Sequence, residues 1–442
     1  MLRFNFDLGI RRLIPEWRAM FRREYLMNDL LASIAVACIA LPLSLAIALA
    51  SGVEPEIGLV TAIIAGIVGA IFGGVPLAVS GPTITMAVLV AGVIQQFGLS
   101  GLFFIGFGCG FLQLLTGVVG LGSLIRFIPA PVVMGFTAGI GAIILISQFP
   151  RILGLPAPAE NHIFSVIVHI KTLFHQTQPI SLLLALSAII IALTMPRVWP
   201  KLPAPLFAVA IPSLLAYWLG LPVEVVGHIP ASLPAPHFPS LPEGTVAWVE
   251  LMSTTFVIFV LASLESLLSA GAVDQLAKCK PHDPNQELIG QGLANISSAL
   301  FGGIPVTAVI ARSALNVHAG AKTRRSGIFH ALFLLTAVYC FATVISQIPI
   351  AVLGGLLITI ALRMCHPHEF LMLWRTARND SIVYLVTFFM IVVSGLMSGI
   401  QVGIVASLIF AIIRLSQIQI HLYTSKFGPA QLSLNGPLTF LS

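Results

Sequence analysis

The apolar residues of this chain fall in long blocks. Leu30 to Ala50, Leu102 to Val119, Val249 to Val273 and Ile382 to Leu396 are each long enough, alone or with tilt, to cross about 30 Å of hydrocarbon. Read from end to end, the pattern predicts fourteen spans, several of them short. The first seven are 30–50, 57–72, 82–97, 101–120, 131–149, 181–195 and 205–219. The second seven are 249–273, 286–301, 311–321, 326–345, 351–362, 382–396 and 400–418. The expected fold is an all-α polytopic membrane protein.

The breaks between blocks are patterned too. Ala70-Ile71-Phe72-Gly73-Gly74-Val75-Pro76 returns 229 positions later as Ala299-Leu300-Phe301-Gly302-Gly303-Ile304-Pro305, with five identities and two aliphatic exchanges. The chain is a duplication, with a first repeat over 29–220 and a second over 248–420. Gly-Gly-x-Pro cannot sit inside a continuous helix, because glycine adds backbone freedom and proline lacks a donor. Each repeat therefore carries a broken helix at the same place. Seven spans per repeat is an odd number, so the second copy enters the membrane from the opposite side and the repeats are inverted. Matched interruptions of this kind point to a substrate site near the bilayer midplane. Two half-helices would then aim their N-termini at one another, and Leu77 to Ser80 and Val306 to Val309 would run as two short antiparallel strands across the centre.

Composition agrees that lipid is the solvent. With 57% hydrophobic and 9% charged residues, the chain cannot hide its apolar surface in one soluble core. Placing the N-terminus in the cytoplasm leaves only Arg151 and Lys171 of the 22 Lys and Arg outside, with Arg312 and Arg414 within spans. That asymmetry fits an even number of spans. Residues 1–28, where Arg11, Arg12, Arg18, Arg22 and Arg23 interleave with Leu13, Trp17, Met20 and Phe21, read as an amphipathic segment on the inner membrane surface. Lys322, Arg324 and Arg325 read as a topology signal with no nucleic-acid-binding architecture around them. The five cysteines are scattered packing residues and the histidines show no metal-ligand spacing, so no metal or cofactor is expected. The two Pro-rich outer stretches, Pro150 to Pro179 and Gly220 to Trp248, carry no assignable motif. No nucleophile with a base and no phosphate loop argues for an enzyme.

Chemistry is expected where polarity survives inside the bilayer, since an ionisable group at a span centre costs about 2.5 to 3.5 kcal/mol. Glu265 reads as the one acidic residue deep in a span, and Arg312 as its basic counterpart seven residues past Pro305. Thr83 lies seven residues past Pro76, so the repeat makes Thr83 and Arg312 equivalent, each near the start of a half-helix. A guanidinium between two helix N-termini makes an anion site. Glu265 is then either a structural counter-ion of Arg312 or an ion-coupling group. Thr83 is expected to cap its helix or bind the anion, and Ser266 and Ser269 to bond back to the preceding turn.

These residues resemble a known family. Phe301-Gly302-Gly303-Ile304-Pro305 with Ala311-Arg312-Ser313-Ala314-Leu315-Asn316 looks like the signature of the SulP sulfate and bicarbonate permeases. Ala40-Leu41-Pro42-Leu43-Ser44 resembles the family's first span, and Glu287 to Gly292 with Asn295 its ninth. The resemblance implies a mobile core of spans 1 to 4 and 8 to 11 and a gate of spans 5 to 7 and 12 to 14. It places Pro42, Leu43, Ser80, Thr83, Ala311 and Arg312 at the substrate site, and Glu265 and Ser269 at an ion-coupling site. In the bicarbonate-carrying branch an aspartate and a threonine help to bind sodium, and Glu265 and Ser269 replace them here. The coupling ion is H+ or Na+. Val309 and Ala311 stand where relatives place polar residues before the arginine. Residues 421–442, where Gln431 to Leu441 alternates, resemble the start of the family's STAS domain, within which the chain stops. The expected protein is a secondary active transporter of small inorganic anions in a bacterial inner membrane, bicarbonate first, then sulfate or a C4-dicarboxylate. An anion channel or exchanger of the same fold is the alternative, and a homodimer is the expected assembly.

Overall fold

In the computed structural model, the described residues are 10–122, 130–155, 170–200, 202–230, 232–240, 248–278, 281–365, 367–376 and 378–394, with isolated positions from 399 to 409 and the segments 419–423 and 431–435. Residues 1–9, Cys279 and most of the expected span 400–418 lie outside them. The chain divides into two compact units, Met1–Phe127 with Gly141–Arg363, and Ile128–Ile140 with Met364–Ser442.

The first repeat contributes α1 (Ile10–Ala19), α2 (Leu26–Ala50), α3 (Pro55–Phe72), the two-residue strand β1 (Ser80–Gly81), α4 (Ile84–Val119), α5 (Ala130–Ser147), the short α6 (Phe149–Ile152) and α7 (Ile170–His175), then α8 (Pro179–Val198) and α9 (Ala204–Trp218). The second contributes α10 (Trp248–Ala277), α11 (Pro284–Leu300), β2 (Thr307–Ala308), α12 (Ile310–His318), α13 (Arg325–Ile345), α14 (Ile350–Met364), α15 (Pro367–Thr376) and α16 (Arg378–Ser394). Among the described residues, seven helical segments are long and apolar enough to cross a membrane, and three shorter apolar helices join them. The expected spans 82–97 and 101–120 form one kinked element, α4, in which Gly98 alone leaves helical geometry at φ 66°. Only glycine takes that conformation without steric penalty.

In the larger unit, α11 lies against both α3 and α4 through bare backbone. A Cβ added at Gly292 would stand 2.6 Å from the Leu114 amide, and one at Gly110 would stand 2.6 Å from the Gly292 carbonyl. Small residues permit this approach, which is how membrane helices gain packing without a hydrophobic driving force. In the smaller unit, Gly135 and Gly139 let the start of α5 meet Tyr384 and Ile391 of α16, and the Tyr384 ring stands beside Phe370 and stacks on Phe388. The end of the chain forms a hairpin of β3 (Gln419–Tyr423) and β4 (Gln431–Asn435), in antiparallel register with Ile420 opposite Leu434.

The first repeat's break ends α3, and each of the last carbonyls of that helix is satisfied. Gly69 O accepts from the Gly73 amide at 2.8 Å, Ala70 O from Arg324 Nη1 at 3.1 Å, Ile71 O from Trp17 Nε1 at 2.9 Å and Phe72 O from Gln286 Nε2 at 2.7 Å. A helix C-terminus carries partial negative charge, so an arginine there adds electrostatic gain. Two segments outside the spans take part in this. The amphipathic α1 docks on the protein, with Leu13 buried, Trp17 edge-on to Phe72 and Glu16 bonded to Arg324 Nε at 2.5 Å. The basic run is structural as well: Arg325 pairs with the fully buried Asp29 at 3.0 Å, and Asp29 also accepts from the Lys322 and Thr323 amides.

Candidate functional site

Two strands cross where the breaks meet, in antiparallel register with Ser80 opposite Ala308 and Gly81 opposite Thr307. The first begins later than the expected 77–80, because Leu77 lies in a turn closed by Ala78 N to Val75 O at 3.3 Å. The second occupies only the centre of the expected 306–309. Side chains of the second repeat satisfy the backbone of both strands and their flanks. Val79 N donates to Ser313 Oγ at 2.9 Å, Ala308 N to Ser266 Oγ at 3.2 Å, and Asn295 binds both polar groups of Val306. Ser266 is therefore a partner for the strand, which replaces the expected back-bond along its own helix.

The half-helices start differently. Thr83 is the N-cap of α4, its hydroxyl accepting from Met86 N at 3.3 Å, whereas α12 begins after Val309 and carries Arg312 in its first turn. The sequence equivalence of Thr83 and Arg312 is thus offset by three residues in the helices. Pro82 drives Gly81 out of helical conformation, so α4 cannot begin at the position equivalent to Ile310, where α12 begins. At α12 the N-cap is a valine with no side-chain bond, and Ile310 and Ala311 are exposed beside the free first-turn amides. That end carries the helix's positive partial charge uncompensated.

Arg312 is fully buried. Nη2 donates to Ser44 Oγ at 3.1 Å, while Nη1 and Nε find no partner. Nη1 lies over bare backbone: a Cβ at Gly81 would be 2.6 Å from it. Ser44 follows Pro42 and Leu43, both buried in α2, and the sequence reading passed over it in favour of those two neighbours. A lone hydroxyl two residues past an in-helix proline was the available signal.

Glu265 does not pair with Arg312. No ion pair joins them among the described residues; Glu265 Oε2 accepts from the Thr83 hydroxyl at 3.2 Å, and the hydroxyls of Thr85 and Thr307 border the same carboxylate. The counter-ion expectation is corrected: the Thr83 hydroxyl, in place of the arginine, donates to the carboxylate. Ser269 stands one turn further along α10, buried. Ser80 is turned toward α11, its hydroxyl accepting from Gln291 Nε2 at 2.8 Å. Nor is Glu265 the one acid inside: Asp29 and Glu287 are completely buried, each in the first turn of its helix.

A site of this kind, two opposed half-helices at a crossing of broken chain inside a bundle of apolar helices, defines a membrane transporter. The chain belongs to the sulfate permease family, whose model matches residues 26–387. This is a family of anion transporters, not enzymes. The chain is 36% identical over 408 residues to the putative sulfate transporter YvdB of Bacillus subtilis, covering 90% of this chain and 76% of that one. It is 33% identical over 344 residues to the bicarbonate transporter BicA of Picosynechococcus, covering 74% and 60%. Among solved structures it is similar to the transmembrane domain of a cyanobacterium bicarbonate transporter BicA, with TM-score 0.77 and 28% identity over 88% of this chain and 98% of that one.

Proposed function

We propose that the chain is a secondary active transporter of small inorganic anions, hydrogencarbonate foremost and sulfate second, in a bacterial plasma membrane with its N-terminus in the cytoplasm. One observation carries this: a completely buried guanidinium with two unpartnered nitrogens and, among the described residues, no carboxylate at ion-pair distance. A buried charge without a partner costs several kcal/mol, and an oxyanion accepted by a guanidinium fork at a helix N-terminus offsets it. The names of the relatives support sulfate and bicarbonate as cargo.

The site draws on α2, α4, α10 and α12, all assigned to the moving core, so transport proceeds by displacement of that core against the gate helices, in a homodimer, with Glu265 and Ser269 as the coupling locus for H+ or Na+. Arg312→Gln, checked for folding by size exclusion and thermal stability, should abolish anion binding and uptake in proteoliposomes; unchanged affinity rejects the reading. Spin labels on α4 and α14 should change separation when substrate is added or the gradient reversed. A single distance distribution under all conditions rejects the moving core.

A further inference from the structure

His330 of α13 is a second buried polar group left without partners. It is completely buried, and neither ring nitrogen has a hydrogen-bond partner. The Gly327 carbonyl, one turn back, lies near the ring but outside hydrogen-bond geometry. Each buried polar atom left bare costs about 1 to 3 kcal/mol, so a histidine kept only for packing would be tethered or replaced by an apolar residue.

The ring and the guanidinium face the same stretch of α3. A Cβ on Gly66 would lie 3.6 Å from His330 Nδ1. A Cβ on Gly81, which would touch Arg312 Nη1, would also lie 3.9 Å from Ala62 Cα. Ala62 and Gly66 are successive turns of one helix face, about 6 Å apart. An anion held by both groups would make a hydrogen bond of about 2.8 Å to each. The two groups differ in what they offer. A guanidinium only donates, whereas an uncharged imidazole presents one N–H and one bare nitrogen that accepts. Where the bare nitrogen faces the anion, the anion must supply a proton as well as lone pairs.

We propose that His330 is a specificity-determining residue of the Arg312 site, accepting the hydroxyl proton of a monoprotonated oxyanion such as hydrogencarbonate while Arg312 holds its unprotonated oxygens. The inference rests on the anion-site reading above. Sulfate and nitrate have no proton to give, and either would set oxygen lone pairs against the bare nitrogen. Nitrate isolates the effect, because it matches hydrogencarbonate in charge, planarity and number of oxygens.

The test is isothermal titration of the purified full chain with hydrogencarbonate and with nitrate at mildly alkaline pH. The wild type should prefer hydrogencarbonate by about tenfold, the worth of one good hydrogen bond. His330→Phe should erase that preference, and His330→Gln, whose amide oxygen still accepts, should keep most of it. Equal affinities in the wild type overturn the proposal without any variant, as does a preserved preference in His330→Phe. Should Arg312→Gln lose both anions while His330→Phe keeps the wild-type ratio, only the role of His330 fails. Undiminished binding of both anions by Arg312→Gln rejects the anion site itself.

Discussion

Glu287 and Gly74 lie 213 residues apart in the chain, and the Gly74 amide donates to the Glu287 carboxylate at 2.7 Å. The Val75 amide donates to the same oxygen at 3.2 Å. In the other repeat the equivalent amide, that of Ile304, donates to Thr61 Oγ1 at 2.9 Å. Each break is therefore held by the second helix of the opposite repeat, α11 holding the first and α3 the second. The inverted repeats are interlocked at the two places where helical hydrogen bonding is lost.

Glu287→Gln should loosen this lock. The amide keeps an acceptor but removes the charge that strengthens two backbone bonds, a loss of about 1 to 2 kcal/mol. Thermal unfolding in detergent should show a lower melting temperature, with uptake reduced in proportion to folded protein. A melting temperature equal to the wild type's would mean that the break holds itself.

Gly81→Ala tests how Arg312 is seated. The new methyl would stand 2.6 Å from Nη1, so the flexible guanidinium end must move while the strand pairing stays. Anion affinity should fall about tenfold or more with little change in thermal stability. If affinity holds, the position of Nη1 over Gly81 is not required for binding.

Much of this arrangement was legible in the chain. The repeated Gly-Gly-x-Pro phrase placed both breaks, and the hydrophobic blocks placed the helices to within a few residues, because proline and lipid each impose a local rule. Arg312 was legible for the same reason: a charge in a span stands out against its neighbours. What escaped was set by tertiary partners. Glu287 and Asp29 sit in first helical turns where acids are ordinary, and only the backbone amides of distant segments make them structural. Trp17 and Arg324 read as membrane-surface and topology residues until the bare carbonyls at the end of α3 gave them a destination. His330 sits in an apolar helix, and nothing in its immediate sequence announces that its ring faces the bare backbone of Gly66.

The docked N-terminal helix should matter for stability. Trp17→Phe keeps the ring contact with Phe72 but strands the Ile71 carbonyl, costing about 1 kcal/mol. Asp29→Ala removes acceptors for two amides and leaves the half-buried Arg325 without its carboxylate, for about 3 kcal/mol. Thermal melts should rank the two in that order. The reverse order would show that α1 is held mainly by its tryptophan.

The proposed coupling role of Glu265 can be tested directly. A carboxyl in the membrane core is stable only when protonated, solvated by donors, or holding a cation, and the Thr83 hydroxyl ties this one to the N-cap of the first half-helix. In the proposed mechanism, loading that carboxyl would act on the first half-helix through Thr83, although among the described residues no ion pair links it to Arg312. Glu265→Gln imitates the protonated group, keeping shape and the bond from Thr83 while removing titration. With proton coupling, the variant should exchange anions across proteoliposome membranes yet lose accumulation driven by a pH gradient, and sodium should matter to neither protein. A wild type that needs sodium and ignores the pH gradient would make Glu265 a cation ligand, with Ser269 one turn away as its companion. A variant that still concentrates anion on a pH gradient would reduce Glu265 to a structural acceptor for Thr83, and the coupling group would have to be sought elsewhere in α10.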